Sequence, residues 1–365
     1  MNQFPPEVAR EFHRLLVDES GLVPGACILR VESPRDGMVF ADAVGPLFVD
    51  GDAATPATPF RVASITKTFT AAAIVQLAHE GALEFDAPMA AFLPDDHSNL
   101  VDRLHVLDGR AHGRAITIRQ LLVHSSGLFD YASCDAFFGE IVADPGRAWT
   151  PRRMLEGAIA WGSPHFEPEG GYGYAYSDTG YVLLGLVIEN LDRRPLHESY
   201  RARILDPLGM VGTYLEGFEE HRGSAMAHPF QDEFDTAPIH GSADWAGGGL
   251  VSTAEELSIF ARALAEGRVV PRPLLDEMLA WEFRTLDPSR HSPGFVGYGM
   301  GVEARRLEGV ELRGHRGHWG SWMSVQPDTG LTITGTINQA ARAPHTIFGG
   351  VVTALAGAGL LGGER

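Results

Sequence analysis

The sequence all but dispenses with lysine. Of its 29 basic residues, 28 are arginine and one, Lys67, is lysine. Arginine can stand in for lysine wherever a solvated charge, an ion pair or a surface stem is wanted. It cannot replace a lysine that must give up its proton, because the guanidinium stays protonated. Taken alone, this leaves two readings open: a codon bias that spared one lysine, or an acid–base residue at Lys67. Cysteine is as scarce. Cys27 and Cys134 stand far apart and outside any metal-ligand spacing, which excludes a disulfide framework or a thiolate cluster. Positive charge is in deficit, and a formal charge of -18 repels nucleic acid and anionic lipid. The opening MNQFPPEVAREFHRLL lacks the basic start and apolar run of a secretory signal, so a cytoplasmic location is expected. Long apolar runs are nearly absent. The 18 uncharged residues from Thr346 to Gly363 are weakened by glycine and alanine, and they are expected as a terminal core helix rather than a membrane anchor.

What is present has ordinary globular proportions, 44% hydrophobic and 21% charged over 365 residues, enough for one large domain or two intimate ones. No repeat or linker interrupts it, so a second domain must be an insertion with short connections. Val8, Phe12, Leu15 and Leu16 share one helical face, after which GACILRVES and GMVFADAVG read as strands. YGMGVEARR, GSWMSVQPD and LTITGTIN read as three more near the other end, the last two joined by a turn over Pro327, Asp328, Thr329 and Gly330, and a helix closes the chain. Helical patterns gather in the middle, at Arg119–His124, Thr150–Trp161, Tyr181–Asn190 and Leu196–Leu205. The expected architecture is an α/β domain of residues 1–85 and 241–365, its sheet built from both termini, with a mainly helical domain of residues 86–240 inserted.

Ser64 precedes Lys67 by three residues, and in a helix over Ile65–His79 their side chains would share one face. That helix is apolar nearly all round, with Gly81 placed to stop it, and should be buried. A serine in its first turn lies where backbone amides and the helix dipole favour developing negative charge, and a lysine beside it is placed to act as base. With 18 serines in 365 residues, a serine at that offset from a given lysine is about a one-in-twenty accident. Downstream, Gly170, Gly171 and Gly173 make a loop that sets Tyr174, Tyr176 and Asp178 ahead of an apolar run. A tyrosine near a lysine can hold phenolate character and shuttle a proton, although the common role of a tyrosine is core packing with a satisfied hydroxyl.

Five segments in order, FRVASITKTFTAAAIVQLAHEGALEFDAPMAAFLP, ITIRQLLVHSSGLFDY, YAYSDTGYVLLGLVIE, WAGGGLVSTAEELSIFARAL and GHRGHWGSW, resemble the serine beta-lactamase and penicillin-binding-protein superfamily. They are most similar to its group of class C beta-lactamases, D,D-carboxypeptidases, D-aminopeptidases and beta-lactamase-fold esterases. The resemblance implies a beta-lactamase-like α+β fold, an antiparallel sheet flanked by helices beside an all-helical domain, with the site in the cleft between them. It implies that Ser64 is the acylated nucleophile and Lys67 its SxxK partner, and that Tyr176 is the base and proton relay of a YxN motif. Asp178 departs from that motif's asparagine: an amide can donate to a substrate carbonyl, whereas an ionised carboxylate only accepts. His315 and Gly317 match an HxG variant of the third motif, and the amides of Ser64 and His318 would form the oxyanion hole.

Other residues keep two readings. Trp245, Trp319 and Trp322 are candidates to line an aromatic substrate pocket or to pack in the core. Arg316 suits a substrate carboxylate or a solvated strand charge. Asp130 and Tyr131 are further cleft candidates, and His124 is expected to make a structural hydrogen bond. His228, His240, His315 and His318 lack metal-binding spacing, so no metal or organic cofactor is expected. The chemistry points to a serine hydrolase acting through an acyl-enzyme on a small ester, amide or lactam-like molecule. An acyltransferase using the same intermediate, or a receptor of the same fold that binds without turnover, are the alternatives. No nucleic-acid or membrane partner is expected, and the oligomeric state is not legible.

Overall fold

The computed structural model describes residues 3–168, 173–280, 294–340 and 345–361. Its centre is a seven-stranded antiparallel sheet. Two strands come from the start of the chain, β1 (Cys27–Ser33) and β2 (Met38–Val44), and five from its end. These are β3 (Phe295–Tyr298), β4 (Glu303–Leu307), β5 (Val310–Arg316), β6 (Ser321–Val325) and β7 (Thr332–Thr336), in the spatial order β3-β4-β5-β6-β7-β1-β2. The termini meet where β1 pairs with β7, Val31 opposite Ile333, so the sheet is indeed built from both ends.

Side-chain alternation along the strands gives the sheet two apolar faces. Cys27, Leu29 and Val31 point to one, where Trp322 and Ile333 join Phe12 and Leu16 of helix α1 (Pro6–Ser20) and Ile347 and Val351 of the closing helix. That closing helix spans His345–Gly357, shorter than the uncharged run that announces it, and residues 362 and 363 of the run lie outside the described residues. No described helix is long and apolar enough to cross a membrane. The other face meets the helix Ala254–Ala265, and behind it α2 (Thr66–His79). Helix α2 is buried along nearly its whole length, as its all-round apolar sequence requires, and Phe69 stacks on Phe260 with ring centroids 3.7 Å apart.

The middle of the chain supplies mostly helices, among them Pro151–Trp161 and α3 (Asp178–Asp192), which packs on α2. The helical pattern over Leu196–Leu205 resolves into a short α-helix to Tyr200 and a π-turn over Arg201–Leu205. A small three-stranded sheet, Phe60–Arg61, Leu250–Ser252 and Tyr214–Leu215, joins these parts. It ties the entry of α2 to the segment after Gly249, through the bonds Val62 N to Leu250 O at 3.0 Å and Leu250 N to Thr66 Oγ1 at 3.1 Å.

Candidate active site

Ser64 sits in the short 3-10 turn Ala63–Ile65 that leads into α2, partly exposed between buried neighbours. Ala63, immediately before it, has φ +47°, a left-handed conformation that costs a non-glycine residue about 1–3 kcal/mol and that gathers at functional sites. His124 (φ +58°) and Trp245 (φ +36°), both close to the same cleft, share it.

Lys67 lies one helical turn below Ser64 with a side chain that is 0% exposed. Its ammonium has three donors and three acceptors: Ser64 Oγ at 3.1 Å, the Gly247 carbonyl at 2.8 Å, and Asp178 Oδ1 in a short ion pair. Asp178 opens α3 and is pressed against Gly247, where any side chain would run into its Oδ1. Where the family pattern has a neutral amide, this pocket therefore has a carboxylate bound to the only lysine. The Nζ atom also stands 4.8 Å from the centroid of the Tyr176 ring.

The Tyr176 hydroxyl is buried and completes no hydrogen bond among the described residues. Burial first, and then the Asp178 carboxylate, push its pKa well above 10, while the nearby Ser64 hydroxyl pulls the other way. These two effects hold Tyr176 toward the neutral phenol, with the Asp178 carboxylate opposing the charge of the neighbouring lysine. His124 holds this tyrosine in place. Its carbonyl accepts the Ala175 amide (2.9 Å), its Nδ1 accepts the Ser177 amide (3.1 Å), and its ring packs 4.2 Å from that of Tyr176. Burial, followed by the charge on Lys67, lowers the His124 pKa well below 6.5, so the imidazole is neutral. With Nδ1 accepting, the proton resides on Nε2, which is buried beside the phenol without a partner among the described residues. The glycine loop ahead of this segment lies in part outside the described residues, at Gly170 and Gly171.

The third segment comes from β5, inside the sheet between β4 and β6. His315, on β5, is 3% exposed and engaged through both ring nitrogens. Burial lowers its pKa to about 4, so it too is neutral. Nδ1 must donate to the Arg316 carbonyl (2.7 Å), which leaves Nε2 to accept from the Tyr298 hydroxyl (2.9 Å). It braces the wall rather than offering a free nitrogen to a ligand. Arg316 is paired too, its Nε 3.3 Å from Glu303. Burial works to raise the Glu303 carboxyl, but Arg305 and Arg316 outweigh it and hold it below its usual range.

Gly317 is obligatory on contact grounds: a side chain there would collide with Ser321 Oγ and with the Val62 carbonyl of the nucleophile turn. The turn is closed by Gly317 N to Ser321 O (2.9 Å) and Gly320 N to Gly317 O (3.1 Å), and the His318 amide has no acceptor among the described residues. Trp319 follows, partly exposed. Trp245 and Trp322 are core residues instead, each 1% exposed. The Trp245 indole occupies the space that Gly185 leaves without a side chain, and Trp322 faces α1 across the sheet. His228 and His240 are held elsewhere, by Asp235 and Ser242.

Two carboxylates complete the surroundings of Lys67. Asp130 Oδ1 accepts the amides of Asp178 (3.1 Å) and Ala132 (3.2 Å); burial, then Asp178, raise its pKa to about 7, against the pull of Lys67. Between about pH 4 and 7 the folded chain therefore keeps a proton that the unfolded chain has released, so stability is full below pH 4 and falls as pH rises through 7. An asparagine at this position would accept the same two amides without that penalty. Asp130→Asn should exceed wild type in Tm by about 2–4 °C at pH 8 and match it at about pH 4; an equal gap at both values would refute the assignment. The other carboxylate, Asp244, adjoins the lysine pocket through its own carbonyl, which accepts the amides of Gly247 (2.8 Å) and Gly248 (3.0 Å).

A model of the Beta-lactamase family matches residues 32–357. A D-stereospecific amidohydrolase from Streptomyces sp. is 29% identical and superposes with a TM-score of 0.78 over 94% of this chain and 98% of its own. A D-amino acid amidase from Ochrobactrum anthropi SV3, 24% identical, has the same fold, with a TM-score of 0.80 over 96% of this chain and 99% of its own. Among sequence relatives, Protein Rv1367c of Mycobacterium tuberculosis is 28% identical over 87% of this chain and 86% of its own length.

Proposed function

The chain belongs to the beta-lactamase family, and from that premise we propose that it is a serine hydrolase that cleaves small amides and esters through an acyl-enzyme on Ser64. The observation that carries this reading is the closed lysine pocket, in which the sole lysine of the chain binds Ser64 Oγ, Asp178 and the Gly247 carbonyl at once. A core lysine held only for structure would be an expensive choice, since burying an ammonium costs several kcal/mol before its partners repay it. Likeness to a D-stereospecific amidohydrolase, at 29% identity, supports amides of D-amino acids as the leading substrate class.

The proposed steps use only side chains of the site. Lys67 passes one proton to Asp178, with which it already shares a short contact, and the free amine takes the Ser64 proton as Oγ attacks the carbonyl. The amides of Ser64 and His318 receive the oxyanion. Tyr176, a neutral phenol, gives its proton to the leaving nitrogen and is resupplied from Lys67, which recovers its own from Asp178. Water then repeats the sequence on the ester.

The test is intact-protein mass spectrometry after brief exposure to p-nitrophenyl acetate and a fluorophosphonate, with peptide mapping and p-nitrophenol release in parallel. A single adduct on Ser64, with turnover of the ester, is expected. An adduct on another residue, or none with either reagent, would sink the proposal.

A further inference from the structure

Next to the lysine pocket the segment after Ala243 folds back on itself, and one residue beyond the Gly247 carbonyl that Lys67 holds, it opens onto a second recess. This recess has a cavity volume of about 20 Å³, room for one small polar group, and is lined by Asp244, Gly248, Gly249 and Trp319 together with Arg61 and Glu216. The Arg61–Glu216 pair is electrostatically closed. Arg61 donates to Glu216 from Nε (2.7 Å) and Nη2 (2.9 Å), to the Thr236 carbonyl from Nη1 (3.0 Å), and to the carbonyls of Ile239 (2.6 Å) and Ala237 (3.3 Å) from Nη2. His240 is bound to Ser242.

Asp244 is the exception. Half-buried on the wall, its carboxylate accepts no hydrogen bond and meets no cation among the described residues. The groups that face it are Asp178, Lys67, Arg61, Glu216 and Tyr131, and both cations among them are consumed by other acceptors. Burial, then Asp178, push Asp244 up to about 6, against the pull of Lys67 and Arg61, which leaves it ionised at neutral pH without a direct partner among the described residues. A buried charge without a partner is costly, and a cation bound from outside removes the cost.

We propose that Asp244 and Trp319 form a subsite for the free ammonium group of the substrate, so that this enzyme selects amides and esters bearing an unblocked amine. The inference rests on the acyl-enzyme reading above. Asp244 accepts the ammonium while the Trp319 ring supplies a π face and covers the apolar part of the ligand. An anionic group is disfavoured in the same place by the unpaired Asp244 carboxylate.

The experiment compares kcat/KM for D-phenylalanine p-nitroanilide with that for 3-phenylpropionyl p-nitroanilide, the same molecule without the amine, in one preparation, so that the folded fraction cancels in the ratio. Wild type should favour the amine at least about tenfold at pH 7, and the preference should fall above about pH 8 as the α-amino group loses its proton. Asp244→Asn, and independently Asp244→Ser, should reduce the ratio by about 10- to 100-fold, the scale of a hydrogen bond to a charged group. A wild-type ratio near one, or a ratio that both variants leave unchanged, overturns the subsite while the Ser64 adduct still stands. Loss of the adduct itself overturns the hydrolase reading and the subsite with it.

Discussion

Lys67→Arg loses at least about a thousandfold in kcat/KM and no longer forms the ester adduct, as does Ser64→Ala. Charge is conserved in this substitution, so its size isolates what only a lysine does. Two effects act together. The Lys67 side chain is 0% exposed and its three donors meet three fixed acceptors, so a longer, planar guanidinium has no room to turn without displacing Gly247 or Ser64. A guanidinium also cannot release a proton to Asp178, so no free base is generated to accept the one from Ser64. Overpacking by itself costs about 1–3 kcal/mol and would appear as a lower Tm. Lys67→Arg that unfolds cooperatively yet is inert separates the chemical effect from the steric one. If the variant keeps more than a tenth of wild-type kcat/KM, proton transfer through Lys67 is wrong and its retention needs another cause.

The parts of this site that could be read from sequence are those that depend on neighbours in the chain. Ser64 and Lys67 lie three apart on an unusually apolar helix, and helical geometry alone brings them together. Strands β1, β2, β6 and β7 followed from period-two patterns bounded by glycine and turn residues, and the meeting of β1 and β7 from the placement of such patterns at both ends, whereas YGMGVEARR, read as one strand, is the end of β3, a turn and most of β4. What depends on long-range packing was not legible. Nothing local marks Asp244 as the unpaired carboxylate: its status follows from Arg61 being taken by Glu216, 155 residues away. Asp130 was recognisable as a cleft candidate, but its raised pKa needs Asp178, 48 residues on. His315 matched a motif, yet its tautomer is set by Tyr298 and by the Arg316 carbonyl. Trp245 kept both a pocket reading and a core reading in the sequence. The missing signal was Gly185, on another helix, which vacates the slot the indole fills.

Tyr176→Phe should separate amides from activated esters. The substitution removes one oxygen from a hydroxyl that completes no hydrogen bond among the described residues, so it leaves no partner stranded and should cost little stability. Its effect is on the proton that the hydroxyl carries. Burial and Asp178 keep that proton on the phenol across the working pH range, which makes Tyr176 a donor in the first instance. An amide cannot expel its nitrogen without protonation, whereas p-nitrophenolate leaves unaided. For D-phenylalanine amide, kcat should fall by about 10²- to 10⁴-fold, the usual worth of a positioned acid. Acylation by p-nitrophenyl acetate, read from the burst of p-nitrophenol, should fall about tenfold or less. A resting phenolate would predict the opposite: a general base is needed equally for both substrates, so both would lose alike, and wild type would show an alkaline rise in activity as the phenol ionised. Equal losses therefore return Tyr176 to the role of base. A loss confined to the amide makes Asp178 the reason this site can rest with its tyrosine protonated, because in that position a neutral amide would leave the charge of Lys67 free to stabilise the phenolate.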